Sequence, residues 1–312
     1  MNILIILLTF LLIISTSILV ICYVIYKMSF YHLHTKTDRT LNFTKKDEMK
    51  PYALKIEELY NKMVKERYQR IYIKSYDGLI LSAQYYCNNP GGPIDILVHG
   101  YKSFSIKDFS GGYFLSKKKN HNVLLIDQRA HSKSQGDTIT FGIKESKDVI
   151  SWIKYLNKRF GKTIPISLIG ISMGAATVLN ASARNLPKNV KLVIADSPFS
   201  SSTDIIIKVS NDKGYPKLLI KPILYLSSLL FCGCNINEST AINAVQKTNL
   251  PILLIHSEKD AFVPHQMSIR IANANPNIEF HSFKNAPHGL SYLEDTNRYE
   301  EIVSKFIDKH LN

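Results

Sequence analysis

Cysteine is scarce in this chain: Cys22, Cys87, Cys232 and Cys234 are the only four in 312 residues. So few, so widely spread, do not read as a disulfide framework. The closest pair, Cys232-Gly233-Cys234, is too small a set for a zinc site. Acidic residues are short as well, 25 against 39 lysines and arginines, which leaves a net charge of +14. That surplus does not make a nucleic-acid surface: the lysines are dispersed, the longest run is Lys117-Lys118-Lys119, and no recognition motif is present. Attraction to an anionic membrane surface is the simpler account. A phosphate-cradling glycine loop and an internal repeat are both missing, which sets aside nucleotide chemistry and solenoid architecture.

One long apolar run is present. Ile3 to Tyr26 carries no charge and as a helix spans roughly 36 Å, against a hydrocarbon core of about 30 Å. No Lys or Arg precedes it, and Ile21-Cys22-Tyr23-Val24 is too bulky for a cleavage site. Residues 1–26 are therefore expected to be an uncleaved single-pass membrane anchor, followed by a polar tether over 27–50 and one domain over 51–312. Lys27, Lys36, Arg39, Lys45 and Lys46 follow the anchor with Asp38 as the one acid among them; this bias predicts a cytoplasmic domain.

The domain reads as alternating strands and helices. Leu54, Ile56, Leu59, Met63 and Val64 give helical spacing within Pro51–Gln69. Arg70–Ser75 and Leu79–Tyr86 flank Asp77-Gly78, a hairpin signal. Short, mostly apolar strand-like runs then recur at Ile94–Val98, Val123–Ile126, Ile164–Ile169, Val190–Ala195 and Leu250–Ile255, and Ile278–Phe283 alternates like a strand. Between two of them lies an amphipathic helix over Ile143–Phe160 that Gly161 stops. The pattern predicts an α/β fold: a mostly parallel, doubly wound sheet with an antiparallel N-terminal edge. The alternation breaks over about 201–249. This stretch is expected to be a small helical cap whose apolar run, Leu218–Phe231, lines an acyl site; ordinary helix packing on the sheet is the alternative.

Chemistry concentrates at Gly170-Ile171-Ser172-Met173-Gly174. An apolar strand precedes this run and a small-residue helix follows it, so Ser172 sits at the apex of a sharp turn. Gly170 and Gly174 permit that turn, and the helix N-terminus behind the serine favours developing negative charge. A serine nucleophile in a strand–turn–helix setting needs, later in the chain, an acid and then a histidine. Asp260 lies in the loop after Leu250–Ile255, and His288 lies in Pro287-His288-Gly289 after the last strand. Glu258 and Asp196 are rival acids. His256, His265 and His281 are rival bases, less well placed: His281 falls within a strand, His265 at a helix start, and His256 reads as strand-end packing. Before the nucleophile, Ile94–Val98 runs into His99-Gly100-Tyr101. The backbone N–H groups of Tyr101 and Met173 are the natural oxyanion donors, with His99 bracing their loop. Arg129 and His131 read as loop-shaping donors.

With these residues in place the chain resembles the α/β-hydrolase superfamily from roughly Arg70 to the C-terminus. The resemblance rests on His99-Gly100-Tyr101-Lys102-Ser103, Asp127-Gln128-Arg129-Ala130-His131-Ser132, the Ser172 turn, Ala195-Asp196-Ser197-Pro198, the Asp260 loop and Pro287-His288-Gly289. It is strongest toward membrane-anchored serine hydrolases near the serine aminopeptidase-like, prolyl-oligopeptidase-like and monoacylglycerol-lipase-like branches. Ser132 and Ser257 depart from glycines common at those places. The resemblance implies a cofactor-free serine hydrolase acting on a small-molecule or lipid acyl ester. Peptide or amide cleavage and a non-catalytic tethered scaffold are the alternatives.

Overall fold

The computed structural model describes residues 2–33, 47–215 and 217–311. Most of the expected tether, 34–46, lies outside the described residues. Eight strands form one sheet: β1 (Gln69–Lys74), β2 (Ile80–Tyr86), β3 (Ile94–Val98), β4 (Asn122–Asp127), β5 (Ile166–Ile171), β6 (Val190–Asp196), β7 (Ile252–Ser257) and β8 (Ile278–Phe283). Their order is β1-β2-β4-β3-β5-β6-β7-β8. β1 and β2 pair antiparallel, as do β2 and β4; every later pairing is parallel. The doubly wound sheet with an antiparallel N-terminal edge is thus present.

The central strands β3 to β7 are largely buried on both faces because helices cover both. Successive side chains alternate between faces. Ile96 and Val98 of β3 join Leu168, Val193 and Leu254 beneath α4 (Ile143–Phe160) and α5 (Met173–Ser182). Leu97 between them faces the other way, with Phe109 and Tyr113 of α3 (Ser105–Lys118). On that second face Ile194 and Ile255 meet Val303, Phe306 and Ile307 of the last helix (Thr296–Leu311). Trp152 of α4 is fully buried; large side chains at such positions contribute about 3–5 kcal/mol each on truncation.

α1 (Asn2–Ile25) leaves Ile3 through Ile21 exposed. The helix Ile3–Phe30 is long and apolar enough to cross a membrane. From Cys22 the chain turns to the body, and the described start of the expected tether, residues 27–33, follows it there. It continues through a π-helical turn, Tyr26–Phe30, whose Tyr26 and Phe30 are buried against the body. α2 (Ala53–Met63) then packs on α3.

The stretch expected as a cap holds α6 (Ser202–Asp212), α7 (Lys217–Cys232) and α8 (Ala241–Val245). Ala241 and Val245 of α8 belong to the main core under the sheet. α6 and α7 pack on each other and join a second cluster with Met173 and Ala176 of α5. Two helices follow α8 before the last: α9 (Gln266–Asn273) and the single turn α10 (Ser291–Glu294); the last is α11.

Candidate active site

The turn from β5 to α5 places Ser172 at φ 56° and ψ −116°, a conformation that L-residues hold only when the surroundings enforce it. The enforcement is steric. A Cβ on Gly170 would lie 2.2 Å from the Gly174 carbonyl oxygen, and one on Gly174 would lie 1.8 Å from the Val98 carbonyl oxygen. No other residue fits either position. Ser172 N–H donates to the Asp196 carbonyl at 2.8 Å, tying the turn to the end of β6.

Three loops at the carboxyl edge of the sheet bring the remaining groups to Ser172. His288 lies between β8 and α10, with its Nε2 2.8 Å from Ser172 Oγ and its Nδ1 2.6 Å from Asp260 Oδ2. The imidazole thus donates from Nδ1 and accepts the serine hydroxyl at Nε2. Its loop is held from below by Glu294, whose two oxygens accept the amides of Asn285 and Ala286 at 2.8 and 2.9 Å. Asp260 Oδ1 accepts the amides of Phe262 and Val263 at 2.9 and 2.8 Å, and Oδ2 also receives His256 Nε2 at 3.2 Å. Burial by itself would raise the Asp260 carboxyl; the hydrogen bonds from His256 and His288 outweigh it and hold the group well below the usual carboxylate range.

None of the rival acids bonds His288, and none of the rival histidines bonds Ser172 Oγ. Asp196 is fully buried, accepting Ser197 Oγ at 2.9 Å and the Tyr299 hydroxyl at 3.0 Å. With no cation bonded to it, burial pushes its carboxyl above the ordinary value. His265 Nε2 pairs with Ser282 Oγ, and His281 Nε2 with Glu279. His256 is more than strand-end packing: with Nδ1 accepting Ser268 Oγ–H at 2.6 Å, its Nε2–H is free to donate to Asp260 and to Val263 O.

The loop 99–103 faces Ser172. His99 Nδ1–H donates to Gly100 O at 2.8 Å and its Nε2 accepts Gln128 N–H at 3.0 Å. Gly100 N–H donates to Asp108 Oδ2 at 2.8 Å, and Lys102 N–H to His131 Nε2 at 3.1 Å. Between them, the Tyr101 amide has no hydrogen-bond partner among the described residues. Met173 opens α5, so its amide has no intrahelical acceptor. Arg129 forks onto Asp77 and Asp148 below the loop. Asp108, Glu294 and the second histidine, His256, carry no motif in the sequence; a carboxylate one helical turn after the His99-Gly100 loop was the nearest signal.

Ser172 and His288 open into a cavity of about 520 Å³, within the range of small-molecule sites. Its apolar wall comes from Ile56 and Leu59 of α2, Phe109 of α3, and Leu290 and Leu293. The cap contributes Lys208 and Asp212, an ion pair at 2.7 Å. The expectation that the apolar run of α7 lines the site is corrected here. Ile220, Leu224 and Cys232 pack instead with Tyr26, Phe30, Phe199 and Ile205. The end of α1 supplies α7 with an apolar partner: Ser227 Oγ donates to Cys22 O at 2.8 Å, and the Tyr23 and Phe231 rings meet edge-on at 5.5 Å. Among the described residues no group of three or more His, Cys, Asp or Glu is placed to hold a metal ion.

Comparisons with known proteins bear on the fold. The family model described as the alpha/beta hydrolase fold matches residues 96–220. Among curated proteins the chain is similar to the uncharacterized protein YqkD of Bacillus subtilis, 26% identical over 60% of this chain and 62% of that protein. It is also similar to the uncharacterized protein YfhR of Escherichia coli, 26% identical over 62% of this chain and 57% of that one. The chain thus spans about six tenths of the length of the curated relatives it matches. Among solved structures, the Pyrococcus furiosus esterase Pf2001 superposes with a TM-score of 0.63 at 24% identity, covering 80% of this chain and 96% of that one. Est1E from Butyrivibrio proteoclasticus, solved with ferulic acid bound, gives 0.60 at 20% identity over 77% and 99%. Strand order, matched segment and superposition together show that this chain has the α/β-hydrolase fold.

Proposed function

We propose that the protein is a serine hydrolase that cleaves acyl esters through an acyl-enzyme, held at a membrane by α1. The observation that carries the reading is the continuous run of hydrogen bonds from Ser172 Oγ to His288 to Asp260, at 2.8 and 2.6 Å. In this reading Ser172 Oγ attacks the ester carbonyl carbon while His288 Nε2 takes its proton. Asp260 holds the ring in the tautomer that leaves Nε2 free and stabilises the imidazolium that forms. The Tyr101 and Met173 amides, both without partners, receive the oxyanion. Collapse of the tetrahedral intermediate expels the alkoxide, which takes the proton from His288. Water, deprotonated by the same nitrogen, then attacks the acyl-enzyme carbonyl and releases the carboxylic acid and Ser172.

The substrate class follows from the cavity wall and from the neighbours. Ile56, Leu59, Phe109, Leu290 and Leu293 suit an acyl chain, and the solved neighbours carrying the name esterase favour an ester over a peptide bond. The exposed part of α1, Ile3–Ile21, is about 28 Å long, close to the hydrocarbon thickness of a bilayer. The basic residues following it orient the domain to the cytoplasm. The test is hydrolysis of p-nitrophenyl esters of graded chain length by the full chain and by Ser172→Ala. We expect turnover of medium chains, and a loss in kcat on the order of 10⁴-fold or more in the variant. Equal turnover by both proteins contradicts the reading.

A further inference from the structure

A chain leaving a membrane helix needs no more than a flexible link to its domain. Here seven consecutive residues, Tyr26 to His32, are fastened to the body. The Tyr26 hydroxyl meets Thr138 Oγ1 at 2.8 Å, Phe30 O accepts Ile139 N–H at 2.8 Å, and His32 N–H donates to Asp137 O at 2.8 Å. Tyr31 forms an antiparallel bridge with Thr138. Fixing such a segment costs conformational entropy that a tether would keep.

What the strap touches is the loop facing Ser172. The Tyr101 hydroxyl donates to Ser29 O at 2.8 Å. Its ring stacks on Phe141 at 5.0 Å, and Phe30 meets the same Phe141 edge-on at 5.8 Å. One residue further, Lys102 N–H is held by His131, whose ring lies 4.9 Å from that of His32, and His32 Nδ1–H donates to Ala130 O at 2.7 Å. Lys102 itself stands at φ 48°, a left-handed conformation that a loop keeps only while neighbours hold it. The strap therefore holds the loop at the Tyr101 side chain and, through His131, at Lys102.

We infer that Tyr26–His32 is a positioning element of the active site, which through the Tyr101 side chain fixes the direction of the Tyr101 amide toward the developing oxyanion. The inference rests on the hydrolase reading above and on Tyr101 N–H as an oxyanion donor. It makes the membrane exit part of the catalytic apparatus as well as a mooring.

The experiment uses the full chain in detergent with p-nitrophenyl butyrate as substrate and a trifluoromethyl ketone as a probe, since the ketone adds the serine to form a tetrahedral oxyanion. Tyr101→Phe removes the bond to Ser29 O and little else. Losing an oxyanion donor outright costs about 10²–10³ in rate, so misdirecting one is expected to lower kcat about tenfold. KM should stay within about twofold, and ketone affinity should fall in parallel with kcat. A role confined to stability would lower the melting temperature and leave kcat per folded molecule and ketone affinity unchanged; that result overturns the inference. Should Tyr101→Phe fail to fold, Phe30→Leu, which loosens the strap's grip on Phe141, is read by the same two quantities. A wild type that neither hydrolyses the ester nor binds the ketone removes the hydrolase reading and this inference with it, whereas an active wild type with an unimpaired variant removes this inference alone.

Discussion

The neighbouring parallel strands β6 and β7 each present a buried aspartate at their carboxyl end, Asp196 as the last residue of β6 and Asp260 in the loop after β7, and the two carboxyls are electrostatic opposites. Asp260, after β7, collects two backbone amides and two histidine N–H groups and is held well below the usual carboxylate range. Asp196, at the end of β6, has two hydroxyl partners and is pushed up by burial. Residue type and strand position are nearly shared; the donors differ. Burial acts upward on both carboxyls, and the pair differs in whether enough N–H donors converge to offset it.

The largest test of that contrast is substitution of each acid by its amide. Asp260→Asn preserves shape and removes the charge that orients His288. It should lower kcat by about 10⁴-fold in steady-state ester hydrolysis. Asp196→Asn should leave kcat within about threefold, because its partners are hydroxyls that can donate to an amide oxygen or accept from its nitrogen. Comparable losses in the two variants would break the contrast.

Next comes the second histidine. His256→Ala takes one charge-assisted hydrogen bond from Asp260 and should lower kcat about tenfold. His256→Gln, whose amide nitrogen reaches the place of Nε2, should restore most of that loss. Equal kcat for the alanine and glutamine variants would reduce His256 to a packing role.

The smallest effect is the pH dependence of stability, and it has opposite signs at the two sites. Asp260 has a lowered folded pKa. Its contribution to stability is present above the unfolded carboxylate pKa of about 4 and is lost as pH falls through the lower folded value. Asp196 has a raised folded pKa. Its contribution is full below about pH 4 and declines as pH rises toward the folded value. Urea denaturation between pH 3 and 8 should therefore show Asp260→Asn approaching wild type on acidification. Asp196→Asn should gain on wild type as pH rises. Parallel profiles for both variants would contradict the assigned environments.

Much of this arrangement was legible in the sequence because it rests on local patterns. Continuous apolar runs such as Leu250–Ile255 mark strands buried on both faces. The glycines around Ser172 reflected contacts of 2.2 and 1.8 Å that exclude any Cβ. Asp260 and His288 stood out because each falls in a loop directly after a strand. What stayed illegible depends on tertiary partners. Helical periodicity shows that α7 has an apolar face but not what covers it, and here the end of α1 covers it rather than the acyl cavity. His256, Asp108 and Glu294 act by hydrogen bonds across loops, and one polar residue in a loop looks like another. Polarity points to a tether after the anchor, yet over residues 27–33 Phe30 and His32 hold the chain through single side chains and backbone bonds that leave no periodic signal.

The central claim, that Ser172 is the nucleophile of an acyl-transfer site, is tested most directly by intact-protein mass spectrometry after reaction with a fluorophosphonate. The account expects the folded wild type to gain one phosphonyl group, mapped to the peptide containing Ser172, and Ser172→Ala to gain none. An unmodified folded wild type, or equal modification of Ser172→Ala, would contradict it.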